Sequence, residues 1–130
     1  MSTHTYYIGM GSNVAEASVL LACARLLLRR LPGSSVRFSP PVQTEPVDYP
    51  WPALFTNQVA LVVSSLDQAT LCGRLKRIEH LLGRRAEQKQ QGVVRIDLDL
   101  LCADGQVLRP ADWKRADVAE AVQCLAAPGA

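Results

Sequence analysis

The hydrophobic positions of the chain change their spacing several times, and each spacing is typical of one kind of element. Apolar residues at every second position, in runs rich in β-formers, predict strands because successive side chains of a strand point to opposite faces. Apolar residues three and four positions apart predict helices. The pattern predicts strands over Thr5–Met10, Val36–Thr44, Ala53–Ser65 and Gly92–Leu101, and helices over Val14–Leu31 and from a capping Asp67 to Leu82.

The order of these elements is strand, helix, strand, strand, helix, strand. This order predicts an α+β fold of the ferredoxin-like type, βαββαβ, with a four-stranded antiparallel sheet that carries two helices on one face. Beyond it, Val107 and Leu108 predict a short strand, and Pro110 opens a short C-terminal helix that runs to about Leu125. We expect residues 1–130 to form a single domain.

Composition narrows the class of protein. Of the 130 residues, 48% are hydrophobic and 20% are charged, and the net charge is +2. This charge is too small to favour nucleic-acid binding by bulk electrostatics, so any anion site must be local. No apolar run is long enough to span a bilayer, and the N-terminus lacks the basic and apolar regions of a secretory signal. We therefore expect a cytoplasmic protein without a membrane partner; the sequence leaves the oligomeric state open.

The cysteines and histidines do not predict a metal centre. The cysteines form no C-x-x-C pair, and neither histidine is near a cysteine in sequence, so we expect free thiols rather than a zinc site. These residues are Cys23, Cys72, Cys102, Cys124, His4 and His80.

The run from Gly92 to Leu101 carries the clearest chemical signal. If the whole run is a strand, Asp97 and Asp99 lie on one face together with Arg95. Two neighbouring carboxylates repel each other unless a cation lies between them, and Mg²⁺ prefers such oxygen ligands. An arginine beside them suits a phosphate. The alternative interpretation is a solvated face of an edge strand, on which Arg95 pairs with the aspartates.

Two other functions of ferredoxin-like sheets are disfavoured. An RNA-binding sheet would carry stacking aromatics in a Lys/Arg-Gly-Phe-like run, and no such run is present. A metallochaperone would need a paired-thiol loop, which is missing as well. A small-molecule or phosphate enzyme remains, or a binding module related to one.

Five stretches together resemble the 6-hydroxymethyl-7,8-dihydropterin pyrophosphokinase family of the folate pathway. They occur in the family's order and at about its spacing, over about the first four-fifths of the chain. They are YIGMGSN (7–13), SPPVQTEPV (39–47), LFTNQV (54–59), RIEHLLGR (77–84) and RIDLDLL (95–101).

The resemblance implies a ferredoxin-like enzyme that transfers pyrophosphate from ATP to the hydroxymethyl group of the pterin, with two Mg²⁺ ions. Asp97 and Asp99 would hold both ions and, with Arg84 and Arg95, form the catalytic group. The matching pterin site is Thr44, Val47, Phe55 and Asn57, and the matching nucleotide site is Glu79, Arg84, Arg85, Lys89 and Arg95. Without the resemblance, Phe55 could equally be a core residue, and Asn57 could satisfy a neighbouring backbone group.

The chain also departs from the family pattern. The family has an arginine three residues before the first aspartate, where this chain has Val94 and carries Arg95 one place later. After Leu108 it lacks the family's histidine-containing segment and its later aromatic, and Trp113 is the only aromatic left. The second hypothesis is therefore a catalytically impaired or repurposed relative that binds a pterin or a protein partner.

Overall fold

Six strands, four α-helices and one 3-10 helix follow one another along residues 2–46 and 54–126, the parts of the chain that the computed structural model describes. Tyr49 and Trp51 of the proline-rich stretch 45–52, which the sequence leaves open as loop-packing residues or as a lid, lie outside these residues. The elements are β1 (His4–Ser12), α1 (Ala17–Arg29), β2 (Ser34–Phe38), β3 (Val42–Thr44), β4 (Phe55–Ser64), α2 (Gln68–Leu81), a 3-10 helix (Ala86–Gln91), β5 (Asp97–Ala103), β6 (Gln106–Val107), α3 (Pro110–Trp113) and α4 (Ala116–Ala126).

The strands form one antiparallel sheet in the order β2-β4-β1-β5-β6, with β3 pairing with β4. The α+β class is confirmed, but the prediction of four strands is wrong, because the sheet has six. The predicted strand Val36–Thr44 is divided at residues 39–41, since Pro40 and Pro41 have no N–H group to continue the ladder. The predicted short strand near Val107 is the sixth, and it pairs with the end of β5.

The faces of the sheet carry different helices. On the first face, Tyr6, Ile8 and Met10 of β1 pack in a core with residues of α1 and α2. On the second face, a smaller cluster consists of Val59, Leu101, Val118 and Leu125, with Tyr7 and Trp113 packed against it. The C-terminal helices therefore cover part of the face that α1 and α2 leave open.

The predicted final helix, from Pro110 to about Leu125, is divided into α3 and α4. Trp113 and Val118 both pack on the second face. They are five residues apart, which would place them about 140° apart around one continuous helix. The break at residues 114–115 lets both side chains reach the sheet.

Two sets of contacts fix the position of β5. The side chain of Asn13 accepts from Val94 N through Oδ1 (2.7 Å) and donates from Nδ2 to Gly92 O (2.9 Å). At the other end of the strand, the register with β1 shifts beside Leu101, whose carbonyl accepts from Leu108 N at 2.8 Å. Such bulges often re-aim side chains near functional sites.

None of the helices in the described ranges 2–46 and 54–126 has the length and apolar character that a bilayer span requires.

Candidate active site

The second face of the sheet has a trough at its centre, where β1 carries two glycines. Gly11 lies between Asn57 of β4 and Asp97 of β5, and Gly9 lies between Val59 and Asp99. A Cβ atom on Gly11 would lie 2.8 Å from Asn57 Oδ1, closer than real Cβ atoms approach. The glycine therefore leaves room on this face for the amide of Asn57.

Each of the two aspartates is paired with one arginine. Arg84 Nη1 donates to Asp97 Oδ1 at 2.8 Å, and Arg109 Nη1 donates to Asp99 Oδ1 at 3.2 Å. The intervening Leu98 is buried in the opposite core, as the alternation predicts. The two carboxylates are therefore neighbours on one face, and each has an arginine to offset part of its charge.

The two carboxyl groups are close enough for each to shift the pKa of the other. Burial, together with the neighbouring Asp97, raises the pKa of Asp99 to about 8. Burial also acts to raise the pKa of Asp97, but hydrogen bonds from protonated Asp99 and from Arg84 outweigh it and hold that pKa below its usual value. At neutral pH the metal-free pair therefore retains one proton, mainly on Asp99, which we call the shared proton.

Glu79 of α2 contacts both Arg84 and the backbone of β5. Its side chain is buried, and Oε2 accepts from Leu98 N at 2.7 Å and from Arg84 Nη1 at 2.8 Å. Burial raises the pKa of Glu79, although the Leu98 hydrogen bond and the Arg84 charge oppose this effect. Glu79 therefore ties α2 to β5 and holds Arg84 beside Asp97.

The polar side chains of β3 and β4 lie on the other side of the trough. Asn57 Nδ2 donates to Thr44 Oγ1, which orients the amide, and Phe55 is the next residue on the same strand face. These three residues line one side of a cavity of about 440 Å³, which we call the sheet–tail cleft. Its other side belongs to the tail, and includes Asp112, Arg115 and Asp117.

A smaller cavity of about 100 Å³ adjoins this cleft and extends to the aspartates. Phe55 and Asn57 line both cavities, while Asp97 and Asp99 line the smaller one. The structure thus brings the predicted pterin residues Thr44, Phe55 and Asn57 to the same face as the predicted metal ligands. The remaining predicted pterin residue, Val47, lies outside the described residues.

The other predicted nucleotide residues are arranged differently. The Arg95 side chain donates to Leu82 O at 2.7 Å and lies 3.8 Å from Glu16, and it makes no ion pair with Asp97 or Asp99 among the described residues. β5 begins only at Asp97, so the alternation that would put Arg95 beside the aspartates does not extend to it.

Arg85 and Lys89 lie at the polar segment between α2 and β5. Arg85 donates to the carbonyls of His80 and Arg84, at 3.3 and 2.9 Å. Lys89 is an exposed residue of the 3-10 helix. Of the predicted nucleotide residues, Arg84 and Glu79 are thus the ones that contact the aspartates or their supporting groups.

Sequence reasoning missed the charged residues of the tail. Arg109 contacts Asp99 and Asp112, and Arg115 contacts Asp112 and Asp117. The only signal in the sequence was their density, five charged residues between positions 109 and 117 that also include Lys114. Trp113, the remaining aromatic of the tail, packs edge-on against Tyr7 with 5.6 Å between ring centroids.

The aspartate pair fits Mg²⁺ better than it fits a fully protein-ligated metal. The described residues contain no cluster of three or more His, Cys, Asp or Glu side chains able to hold a metal ion. Mg²⁺, however, commonly uses one or two carboxylates and completes its shell with water and substrate phosphates. The two arginine contacts already place positive charge beside this pair, and the raised pKa of Asp99 shows that its ionised form is disfavoured without further positive charge.

Comparison with known proteins gives a family match. The sequence profile of the family described as 7,8-dihydro-6-hydroxymethylpterin-pyrophosphokinase (HPPK) matches residues 7–127, which include both aspartates and most of the tail. A search of curated proteins finds no match to the chain.

Proposed function

This chain belongs to the 7,8-dihydro-6-hydroxymethylpterin-pyrophosphokinase family, and we propose that it transfers pyrophosphate from ATP to 6-hydroxymethyl-7,8-dihydropterin in folate biosynthesis, releasing AMP. We further propose that its sheet is an enlarged ferredoxin-like sheet. In this description, β1, β4, β2 and β5 are the four basic strands, and β3 and β6 are short additions at its margins.

One observation carries the proposal: Asp97 and Asn57 flank the same glycine. Both are paired with Gly11, from strands on either side of β1. Two inter-strand spacings put their backbones about 10 Å apart. A bicyclic heterocycle bound at Asn57 would therefore direct a one-carbon arm towards the aspartates, where the phosphates must lie.

The flat ring would lie against Phe55, and its amino-pyrimidinone edge would bind Asn57, which offers both a donor and an acceptor. We include Val47 in this site only through its position in the family-like stretch 39–47. Thr44 holds the Asn57 amide by accepting its N–H, which leaves the amide oxygen for the ring.

Asp97 and Asp99 would hold the two Mg²⁺ ions together with phosphate oxygens. The ions would supply charge neutralisation on the triphosphate and alignment of its β-phosphorus. The protein must first release the shared proton from the pair, and both arginines are placed to exchange a carboxylate for a phosphate. Arg84 and Arg109 would then bind the triphosphate from two sides, with Arg85, Lys89 and Arg95 as more distant candidates.

The reaction balances without a further reactant. The hydroxymethyl oxygen forms a bond to the β-phosphorus, and the bond from that phosphorus to the α,β-bridging oxygen breaks. AMP leaves with the electron pair of that bond, and the hydroxyl proton is released. The residues of this chain position the alcohol and the phosphates, which is the main contribution of proteins to phosphoryl transfer.

The test is an assay of AMP release that depends on 6-hydroxymethyl-7,8-dihydropterin, with ATP and Mg²⁺. We expect activity in the natural protein and a loss of at least about 100-fold in Asp97→Asn, which keeps the shape but removes the charge. Asp104→Asn is the matched control, because Asp104 lies at the turn after β5 and its Oδ1 accepts from Thr5 N. Equal activity in Asp97→Asn and in the control would contradict the proposal.

The second candidate is a relative that binds a pterin or a protein partner without turnover. The position of Trp113 favours it, because the last aromatic of the tail packs on Tyr7 and does not line the sheet–tail cleft. Pterin binding by calorimetry without pterin-dependent AMP release would support this candidate over the enzyme.

A further inference from the structure

The sheet–tail cleft has an aromatic wall on one side and a charged cluster on the other. Phe55 lines the sheet side, and the cavity of about 440 Å³ is within the usual size range of small-molecule sites. The tail side is formed by α3, α4 and the break between them. A flat ring bound on Phe55 therefore has its other face towards the tail.

Arg115 is the planar group on the tail side. Its Nε and Nη2 donate to the two oxygens of Asp117, at 3.1 and 2.8 Å, and its Nη1 donates to Asp112 at 3.4 Å. Hydrogen bonds to a guanidinium lie in its plane, so all three nitrogens are occupied at the edge of the group. These bonds use three of the five N–H donors and leave both flat faces clear, and the side chain is 36% exposed.

The two carboxylates also restrict what Arg115 can do. They hold the guanidinium in one orientation and offset its charge, and, unlike Arg84 and Arg109, Arg115 pairs with neither Asp97 nor Asp99. A fixed guanidinium plane is well suited to stacking on an aromatic or heteroaromatic ring.

We propose that Arg115, held flat by Asp117 and Asp112, is the second wall of the sheet–tail cleft and stacks on the heterocycle from the side opposite Phe55. The inference rests on the proposed function, because it takes the ligand to be a pterin. It assigns a binding role to a residue of the tail and explains how the cleft can enclose a ring on both faces when Phe55 is the one aromatic among its described lining residues.

The competing role is structural. The contacts with Asp112 and Asp117 span the break between α3 and α4, so Arg115 could serve only to join the two helices. The roles differ in one respect. A stacking wall can be replaced by another flat group, whereas an ion-pair link cannot be replaced by an apolar one.

The experiment measures binding of 6-hydroxymethylpterin by its fluorescence, in the presence of Mg²⁺ and α,β-methylene ATP. This analogue cannot react because its α,β-bridge is carbon. The variants are Arg115→Ala, Arg115→Phe and Arg115→Lys. Arg74→Ala is the control, because Arg74 is an exposed arginine of α2 and lies outside the cleft.

We expect Arg115→Ala to weaken pterin binding about tenfold, and Arg115→Phe to bind within about threefold of the natural protein, because an aromatic ring restores the flat surface. Arg115→Lys keeps the charge without the plane and should resemble Arg115→Ala. The affinity for the nucleotide analogue alone should not change in any of the three.

Two results would overturn the inference: natural affinity in Arg115→Ala, or Arg115→Phe binding no better than Arg115→Lys. The second comparison still decides the question if Arg115→Ala does not fold. If the natural protein itself does not bind 6-hydroxymethylpterin, the proposed function fails, and the inference fails with it. If the natural protein binds and only the variant pattern is wrong, the proposed function stands.

Discussion

Asp99→Asn should stabilise the metal-free protein while it removes metal binding. The carboxyl of Asp99 is packed beside Asp97, and its pKa is raised to about 8 from an ordinary value of 3.8. An asparagine is close in shape to the protonated aspartate. It can donate to Asp97, and its oxygen can still accept from Arg109.

The size and the sign of this change in the free energy of unfolding follow from proton linkage. Below about pH 4, Asp99 is protonated in the folded and unfolded chains, so the raised pKa costs nothing. Between about pH 4 and 8, the folded protein retains a proton that the unfolded chain loses, and the free energy of unfolding falls as the pH rises. A tenfold difference between the acid dissociation constants of the folded and unfolded chains corresponds to about 1.4 kcal/mol.

The whole difference in pKa would therefore amount to several kcal/mol, but the Asp99 side chain is 25% exposed, and Arg109 offsets part of its charge. With this screening we expect a gain of about 1–3 kcal/mol for Asp99→Asn at pH 8.5. For a chain of this size, that gain raises the melting temperature by roughly 4–12 °C. At pH 4.5, the two proteins should melt within about 2 °C of each other by the same linkage.

The assay is thermal unfolding by circular dichroism at pH 4.5 and 8.5, with EDTA and then with Mg²⁺. Mg²⁺ should raise the melting temperature of the natural protein at pH 8.5 and leave that of Asp99→Asn unchanged. A gain of equal size at both pH values, or a loss of stability at pH 8.5, would refute the idea that the pair stores electrostatic strain.

Three further predictions concern the surroundings of the pair. Gly11→Ala should weaken pterin binding by about tenfold or more, since the new Cβ would lie 2.8 Å from Asn57 Oδ1. Gly73→Ala is the control, because its new Cβ would meet nothing within 4 Å. Equal pterin affinities in the two variants would contradict the role given to Gly11. Arg84→Ala should lower kcat by about 100-fold or more, whereas Arg95→Ala should change kcat less than twofold and lower the free energy of unfolding by about 1 kcal/mol. Steady-state kinetics and urea unfolding measure these effects, and a larger loss of kcat in Arg95→Ala than in Arg84→Ala would refute the prediction. Mg²⁺ binding should tighten as the pH rises towards 8, because the shared proton must leave, and calorimetry in two buffers of different ionisation enthalpy should detect its release.

The strand alternation correctly predicted which side chains of β5 share a face. Asp97 and Asp99 lie opposite the buried Leu98 because a period of two is imposed by backbone geometry alone. The same rule failed to place Arg95, because contacts of Asn13 with residues 92–94 hold the preceding segment out of the strand. That interaction joins residues about 80 positions apart, and no local pattern records it.

The tail shows the second limit of sequence reasoning. Its apolar residues predict a helix, and two helices are present, but the break at residues 114–115 depends on which sheet residues the side chains must reach. Arg109 also acquires its role only when the bulge at Leu101 brings it to Asp99. Long-range contacts of this kind decide how charged residues are used, and the order of residues alone does not specify them.

The central claim is that Asp97 and Asp99 hold divalent metal beneath the phosphates of a nucleotide, and the most direct test counts bound metal. Mn²⁺ in place of Mg²⁺ can be titrated by electron paramagnetic resonance with α,β-methylene ATP present. This claim predicts two bound ions per chain, both lost in Asp97→Asn and both retained in Asp104→Asn. Unchanged Mn²⁺ binding in Asp97→Asn would contradict it.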